Sequence, residues 1–178
     1  MIIFEPMQKH STNLLRSFRA KARHRKTAFK RFLTRLEKKP IRGIQQLIAK
    51  KEKEVWSEIG CLSCANCCKT MTPTYTPADL KRISRHFNMT VPEFKKKWLK
   101  QERGGDRDWV NRSTPCQFLD TKNNKCSIYA IRPLDCSGFP HLPKKFVEFA
   151  HIHKQNLDSC PATFLLVEKL NQELADRL

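Results

Sequence analysis

Four cysteines lie within eight residues of this chain, in the stretch CLSCANCC from Cys61 to Cys68. A single cysteine often serves as a small buried apolar residue, but four at this spacing indicate chemistry by sulfur. They could form disulfides, carry out thiol redox reactions or bind a metal. The order C-x2-C-x2-C, formed by Cys61, Cys64 and Cys67, lets three thiolates wrap around one centre, and bacterial ferredoxins use it to bind iron–sulfur clusters.

The other four cysteines are spread over the rest of the chain, at Cys116, Cys126, Cys136 and Cys160. Eight thiols are enough for two four-sulfur sites. Structural zinc prefers four tetrahedral thiolates, often as two C-x2-C pairs, and this chain has no second pair outside the 61–68 run. Iron and zinc therefore both stay open, as does the question of which cysteines share a centre. Cys160 precedes a predicted helix, whose dipole would favour a thiolate there.

The choice between disulfides and metal depends on the compartment. The apolar stretch in the N-terminal sequence MIIFEPMQKH is shorter than the apolar region of a secretory signal. No apolar run in the chain reaches membrane-spanning length. We therefore expect a cytoplasmic protein without a membrane span. Lasting disulfides are rare in the cytoplasm, so clustered cysteines there indicate a metal site or redox chemistry. Neither GxGxxG nor a P-loop motif is present, which argues against a nucleotide enzyme of those classes.

Helices must position these cysteines, and the sequence predicts several. Apolar residues recur at helical spacing over residues 12–38, and again from Ile44 to Ile59, so we expect a basic helical hairpin before the first cysteine. The apolar positions of the first helix are Leu14, Leu15, Phe18, Ala22, Phe29, Phe32, Leu33 and Leu36.

Further helix starts are marked by capping residues. Each of Thr76 and Thr90 has a Pro within the next two residues (Pro77 and Pro92) and an acid three residues on (Asp79 and Glu93). This capping-box signature predicts helices at 77–87 and from residue 91. A polar turn is expected at 120–125, a helical turn at 127–131 and a loop at 103–115. A last helix is expected from Pro161, with one apolar face formed by Phe164, Val167, Leu170, Leu174 and Leu178.

The ordered set of cysteine motifs resembles a known family. CLSCANCC, PCQFL, CSIYAIRPLDCSGFP and the closing Cys-Pro are similar to the CxxCxxCC family of zinc- or iron-chelating domains, also called YkgJ-type cysteine cluster proteins, over roughly residues 60–162. The resemblance implies an iron or zinc centre and gives all eight cysteines a place as metal ligands. The chain departs from the family at Ala65, where Gly is frequent, and at Ser137, where Arg often follows the cysteine.

Other residues have both a functional and a structural interpretation. Arg132 could donate hydrogen bonds to sulfur or cap a short helix, whereas Tyr129 is expected to pack in the core. His141, His151 and His153 could complete a mixed site, but with eight cysteines available we expect surface histidines.

The positive charge is concentrated in the front of the chain. Residues 1–60 carry +11 of the formal net charge of +18. The basic helices could contact nucleic acid or lie on an anionic membrane, but a solvated face over a buried apolar stripe is the simpler interpretation.

Taken together, the sequence predicts a mainly α protein. We expect a basic N-terminal helical region at 1–59, and a small helical domain at 60–178 with irregular cysteine-rich loops around a metal centre. The leading functional hypothesis is an iron–sulfur protein, most simply with a [4Fe-4S] cluster, that serves redox or metal-assisted chemistry. The alternative is a structural zinc module acting as an adaptor for protein or nucleic acid. No motif identifies a catalytic residue, a substrate or a protein partner.

Overall fold

The first described element is a long helix, α1 (Glu5–Lys38), and it confirms the amphipathic helix predicted near residues 12–38. The computed structural model describes residues 5–39, 41–103, 107–142, 145–175 and 177. The seven deeply buried apolar residues of α1 repeat at helical spacing, as the sequence predicts; they are Leu15, Phe18, Ala22, Phe29, Phe32, Leu33 and Leu36.

The chain forms two compact units. The first unit contains residues 1–64 and 140–178, and the second contains residues 65–139. Both are built mainly from helices, so the predicted mainly α fold is confirmed. The predicted division into 1–59 and 60–178 stays a prediction. None of the helices in the described ranges has an apolar run that could span a bilayer.

The first unit is organised around its C-terminal helix. The helices α1 and α2 (Ile44–Glu58) both pack on α9 (Pro161–Glu173), and α8 (Ala150–Asn156) packs on α1 and α9. The Phe164 ring of α9 lies between two α1 rings, with centroids 5.6 Å from Phe18 and 5.0 Å from Phe29. The predicted apolar face of α9 is buried at Phe164, Val167, Leu170 and Leu174, while Leu178 lies outside the described residues.

Ion pairs join one side of α1 to the C-terminal part of the same unit. The carboxylate of Glu168, which is largely buried, accepts from Lys21 at 3.3 Å and from Arg25. Asp158 accepts from Lys26 at 2.7 Å and from Lys30 at 3.3 Å. These contacts fix α1 against the unit by polar as well as apolar interactions.

The second unit begins with a short helix, α4 (Asn66–Thr70), and is centred on α5 (Pro77–His86) and α6 (Val91–Trp98). Both predicted capping boxes are present: Thr76 with Asp79 and Thr90 with Glu93. The helices enclose a core of aromatic and aliphatic residues in which the Phe87, Phe94 and Phe118 rings stack with centroids 5.7–6.3 Å apart.

Two small antiparallel sheets complete the second unit. The strands β1 (Leu99–Gln101) and β2 (Trp109–Asn111) pair with Leu99 opposite Asn111, so the region predicted as a loop at 103–115 contains one short strand. The strands β3 (Leu119–Asp120) and β4 (Lys125–Cys126) flank the predicted polar turn. A 3-10 turn (Tyr129–Ile131) confirms the predicted helical turn, and α7 (Leu134–Gly138) follows it.

Candidate metal centre

The CLSCANCC run forms two short helices joined by Ala65. The first, α3 (Cys61–Cys64), belongs to the first unit, and the second, α4, carries Cys67 and Cys68 in the second unit. Ala65 adopts a left-handed conformation with φ of +46°. A residue with a Cβ atom is disfavoured there, which gives a physical reason why glycine suits this position. None of the eight cysteines, all of which lie in the described ranges, forms a disulfide.

Cys67 and Cys68 form the closest thiol pair that the described contacts record, with their Sγ atoms 4.0 Å apart. The hydrogen bond from Cys67 lowers the pKa of Cys68 to about 7; burial acts in the opposite direction, and the charge of Lys69 assists the lowering. Cys68 is therefore substantially ionised near neutral pH. A thiolate is the form of cysteine that binds metal.

Three further cysteines are electrostatically coupled to Cys68 within the second unit. Burial raises the pKa of Cys116, Cys126 and Cys136, and negative charge on Cys68 raises each of them further. The backbone also ties the group together, since the Cys116 N–H donates to the Cys68 carbonyl at 2.8 Å. Several thiols from separate segments thus share one partly buried region, where a cation would relieve their mutual repulsion.

A buried asparagine also faces this group. The side chain of Asn111 is fully buried, and its Oδ1 accepts from the Tyr75 hydroxyl at 2.6 Å and from Gln117 at 3.0 Å. Its Nδ2 has no hydrogen-bond partner among the described residues, yet Asn111 lies near enough to Cys116 to lower the pKa of that thiol. An unused N–H donor beside a cysteine suits a thiolate that ligates metal.

Two aspartates hold the segment that carries Cys136. Asp79 accepts the Leu134 N–H at 3.2 Å, and Asp135 accepts the Thr74 N–H at 3.0 Å. Burial alone would raise the pKa of the Asp79 carboxyl, but hydrogen bonds from Thr76, Arg82 and the Leu134 backbone lower it overall. The sequence indicated Asp79 only as a helix cap and gave no signal for its contact with Leu134, which depends on tertiary structure.

Arg132 caps a short helical turn, which is the structural one of the two roles considered for it. Its Nη1 donates to the Tyr129 carbonyl at 2.7 Å, and its guanidinium lies 3.9 Å from the centroid of the Tyr129 ring. The charge of Arg132 also lowers the pKa of Cys126, although burial dominates and raises it. The expectation that Tyr129 packs in the core is wrong, because this side chain is 44% exposed and covers Arg132 instead.

The remaining cysteines, Cys61, Cys64 and Cys160, lie in the first unit. Cys61 is exposed, whereas Cys64 and Cys160 are buried. Burial raises the pKa of Cys160 and outweighs hydrogen bonds from Thr163 and the Ala162 backbone, while the charge of Cys64 raises it further. The prediction that Cys160 forms a thiolate easily at the start of α9 is therefore wrong. Desolvation of the buried thiol raises its pKa by more than the helix terminus lowers it.

His153 was expected at the surface and is instead fully buried. Its ring stacks on Phe146 with centroids 4.1 Å apart, and neither ring nitrogen has a hydrogen-bond partner among the described residues. Burial, assisted by the charges of His141 and His151, lowers the pKa of His153 to about 4. His153 thus serves as a neutral core residue of the first unit.

The donor set fits a metal by its chemistry, although the side chains are not yet gathered around one point. Within the described ranges, no three His, Cys, Asp or Glu side chains form a ready metal site. The Cys67 and Cys68 sulfurs, at 4.0 Å, are close to the spacing of about 3.8 Å between two thiolates on one tetrahedral zinc ion. Coordination by three or more of these thiols would require them to move closer together, as expected where metal binding is coupled to folding.

Comparison with known proteins gives one family and one informative relative. The model of the CxxCxxCC family, described as "putative zinc- or iron-chelating domain", matches residues 60–161. An uncharacterized protein of Methanocaldococcus jannaschii is 33% identical over 81 residues, which cover 46% of this chain and 43% of that relative. The alignment therefore spans less than half of the relative's length. No solved structure matches this chain.

Proposed function

Since this chain belongs to the CxxCxxCC family of zinc- or iron-chelating domains, we propose that its cysteines hold an iron–sulfur cluster that serves redox or metal-assisted chemistry. The observation that carries this proposal is the coupling of Cys116, Cys126 and Cys136 to Cys68. These four thiols come from separate segments of the second unit, and Cys67 lies beside Cys68. A metal cation bound among these thiolates would neutralise their charge.

We assign the ligands in two groups. Cys67, Cys68, Cys116, Cys126 and Cys136 form the group in the second unit, and Cys61, Cys64 and Cys160 form the group in the first unit. Cys68 is available as a thiolate before Cys116, Cys126, Cys136 and Cys160, because its pKa is lowered and theirs are raised. Those four must lose a proton when metal binds, so uptake of metal releases protons.

The iron–sulfur assignment is supported by donor type, because every proposed ligand is a cysteine and cysteine thiolates are the usual ligands of iron–sulfur clusters. When bound, such a cluster would supply one-electron chemistry at a potential set by its surroundings. Asn111 would donate its spare N–H to the Cys116 sulfur, which stabilises negative charge there. The Tyr75 hydroxyl, bonded to the same amide, would keep that amide in orientation.

A structural zinc module that acts as an adaptor is the second candidate. It is favoured by the 4.0 Å separation of the Cys67 and Cys68 sulfurs, which is close to the edge of a tetrahedral zinc–thiolate site. The predicted cytoplasmic location also stays a proposal, supported by the abundance of cysteine without a disulfide among the described residues.

Replacement of Cys68 by serine tests the proposed function. We expect Cys68→Ser to lose most of its bound iron or zinc and to unfold at lower denaturant concentration, because metal binding stabilises the folded state. The measurement is metal and acid-labile sulfide per chain, followed by urea unfolding. Ser137→Ala is the control, since Ser137 is exposed beside Cys136 and donates only to the Leu134 carbonyl at 2.8 Å. Unchanged metal content in Cys68→Ser would contradict the assignment.

A further inference from the structure

A line of basic residues follows the outer face of α1. Arg16, Arg23, Arg31 and Lys38, here called the outer basic stripe, are all exposed and lie seven or eight residues apart, so they project on the same side of the helix. Small exposed residues, Ala20 and Thr27, alternate with them on that line. From Arg16 to Lys38 the stripe is about 33 Å long, at 1.5 Å per residue.

The outer basic stripe takes no part in holding α1 in place. The basic residues that pair with Glu168 and Asp158 are Lys21, Arg25, Lys26 and Lys30. None of these four residues belongs to the stripe. Among the described residues, none of the four stripe side chains forms a hydrogen bond or ion pair. The basic residues of α1 thus form two sets. One set makes ion pairs within the first unit, and the other, the outer basic stripe, is exposed to solvent.

This charge pattern differs from that of an ordinary solvated helix. Residues 13–39 contain eleven Lys and Arg residues but a single acid, Glu37, and that acid pairs with Lys154. Solvated helices usually alternate charge so that neighbours four residues apart attract each other. Here Arg19 and Arg23, and Arg31 and Arg35, are like charges at that spacing, and they weaken the helix unless an anion compensates them.

The opposite face of α1 decides between two classes of anionic partner. An amphipathic helix binds a membrane by inserting its apolar face into the lipid. The apolar face of α1 is already covered, because Phe18, Phe29, Phe32, Leu33 and Leu36 are 0–5% exposed within the first unit. A lipid surface would therefore meet only the charged face, whereas a nucleic acid needs no apolar face.

We propose that the outer basic stripe binds the phosphate backbone of B-form duplex DNA, with α1 placed along the major groove. The groove is about 12 Å wide and admits an α-helix, and the stripe extends over about one helical turn of DNA. The groove of an RNA duplex is too narrow for a helix. Arginine suits phosphate because its planar guanidinium donates two parallel hydrogen bonds. Ala20 and Thr27 leave room for the helix to approach.

The contacts would be to phosphate and so would not depend on base sequence. The proposal also does not depend on the cysteine centre, because every stripe residue lies on α1. The test is fluorescence anisotropy of a labelled 30-base-pair duplex with the full chain, over a series of salt concentrations.

The variant Arg16→Gln/Arg23→Gln/Arg31→Gln removes three stripe charges. We expect at least a tenfold loss of affinity at 100 mM salt, and a fall of about three in the slope of log Kd against log salt, since each phosphate contact contributes about 0.9. The matched control, Lys81→Gln/Arg85→Gln/Lys96→Gln, removes three exposed charges from the second unit and should keep both affinity and slope. A second variant with lysine at the three stripe positions should retain most of the binding.

Several outcomes would overturn the proposal. An equal loss in the stripe variant and in the control would assign binding to net charge alone. Tighter binding to a matched RNA duplex, to single-stranded DNA or to phosphatidylserine vesicles would assign the stripe to another partner. A lack of duplex binding at 50 mM salt would also overturn the proposal. Circular dichroism checks that the stripe variant stays folded, which is expected because like-charge repulsion on α1 is reduced.

Discussion

At the scale of single residues, burial controls the protonation of the groups that matter most. It raises the pKa of Cys116, Cys126, Cys136 and Cys160, while the Cys67 hydrogen bond lowers the pKa of Cys68. One thiol is thus prepared to ionise among neighbours that resist ionisation. At the proposed centre, metal binding would begin more easily at Cys68 than at these four thiols, and the cation would then compensate their charge as they ionise.

His153 gives a residue-scale prediction about pH. Its pKa is about 4 in the folded chain against 6.5 as the ordinary value, so protonation favours the unfolded chain. The stabilisation is complete above pH 6.5 and is lost as the pH falls toward 4, by about 3 kcal/mol in total. His153→Leu should remove this dependence, measured as the free energy of unfolding in urea at pH 7 and pH 4.5.

The control for this prediction is His86→Gln, which changes an exposed histidine of the second unit. That variant should lose stability on acidification as the wild-type chain does. If wild type and His153→Leu lost the same free energy between the two pH values, His153 would not titrate in this range.

The residue scale also shows what sequence could predict. The CLSCANCC run indicated sulfur chemistry because ligand spacing is local. The burial of His153 and the spare donor of Asn111 could not be predicted, because both depend on neighbours far along the chain. Arg132 had two interpretations, and only the structure shows its carbonyl contact at Tyr129.

At the scale of secondary-structure elements, two capping boxes of the same design have different environments. Asp79 caps α5 and also accepts from Arg82 at 2.6 Å and from the Leu134 N–H, whereas Glu93 caps α6 with only local hydrogen bonds to Thr90. Asp79 thereby connects a helix start to the segment before Cys136. A cap of this kind has a structural role at the candidate centre as well as in its helix.

Asp79→Ala should therefore destabilise the protein by about 2 kcal/mol, since it removes a cap and leaves the part-buried Leu134 N–H without its acceptor. It should also lower metal content, because α7 would lose an anchor. Glu93→Ala is the matched change and should cost less stability than Asp79→Ala, with metal content unchanged. Urea unfolding and metal analysis of both variants check this. Equal effects of the two variants would count against a link between Asp79 and the centre.

Elements with strong local signals were predicted well, and the others were missed for identifiable reasons. The long apolar stripe of α1 and the capping residues of α5 and α6 are local signals, and all three helices are present. The helix α8 was not predicted, although Phe146, Ala150, His153 and Leu157 follow helical spacing and are all fully buried. The pattern was hidden because His153 was taken as polar.

At the scale of the whole molecule, each unit has its own structural basis. The first unit packs α1, α2 and α8 with α9, and the second encloses an aromatic core with short strands and cysteine-bearing segments. Packing of α1 on α9 was beyond sequence reasoning, because helical periodicity identifies an apolar face but not its partner. The candidate functional residues are likewise divided between the units. The outer basic stripe lies on α1 in the first unit, and most cysteines lie in the second unit.

The measurement that tests the central claim most directly is the iron, zinc and acid-labile sulfide content of the full chain purified without oxygen, together with its absorption spectrum. The account predicts a brown protein with iron and sulfide in similar amounts. Zinc without sulfide would contradict the cluster and favour the structural module. A colourless protein with neither metal at a stoichiometric level would contradict metal binding by the cysteines altogether.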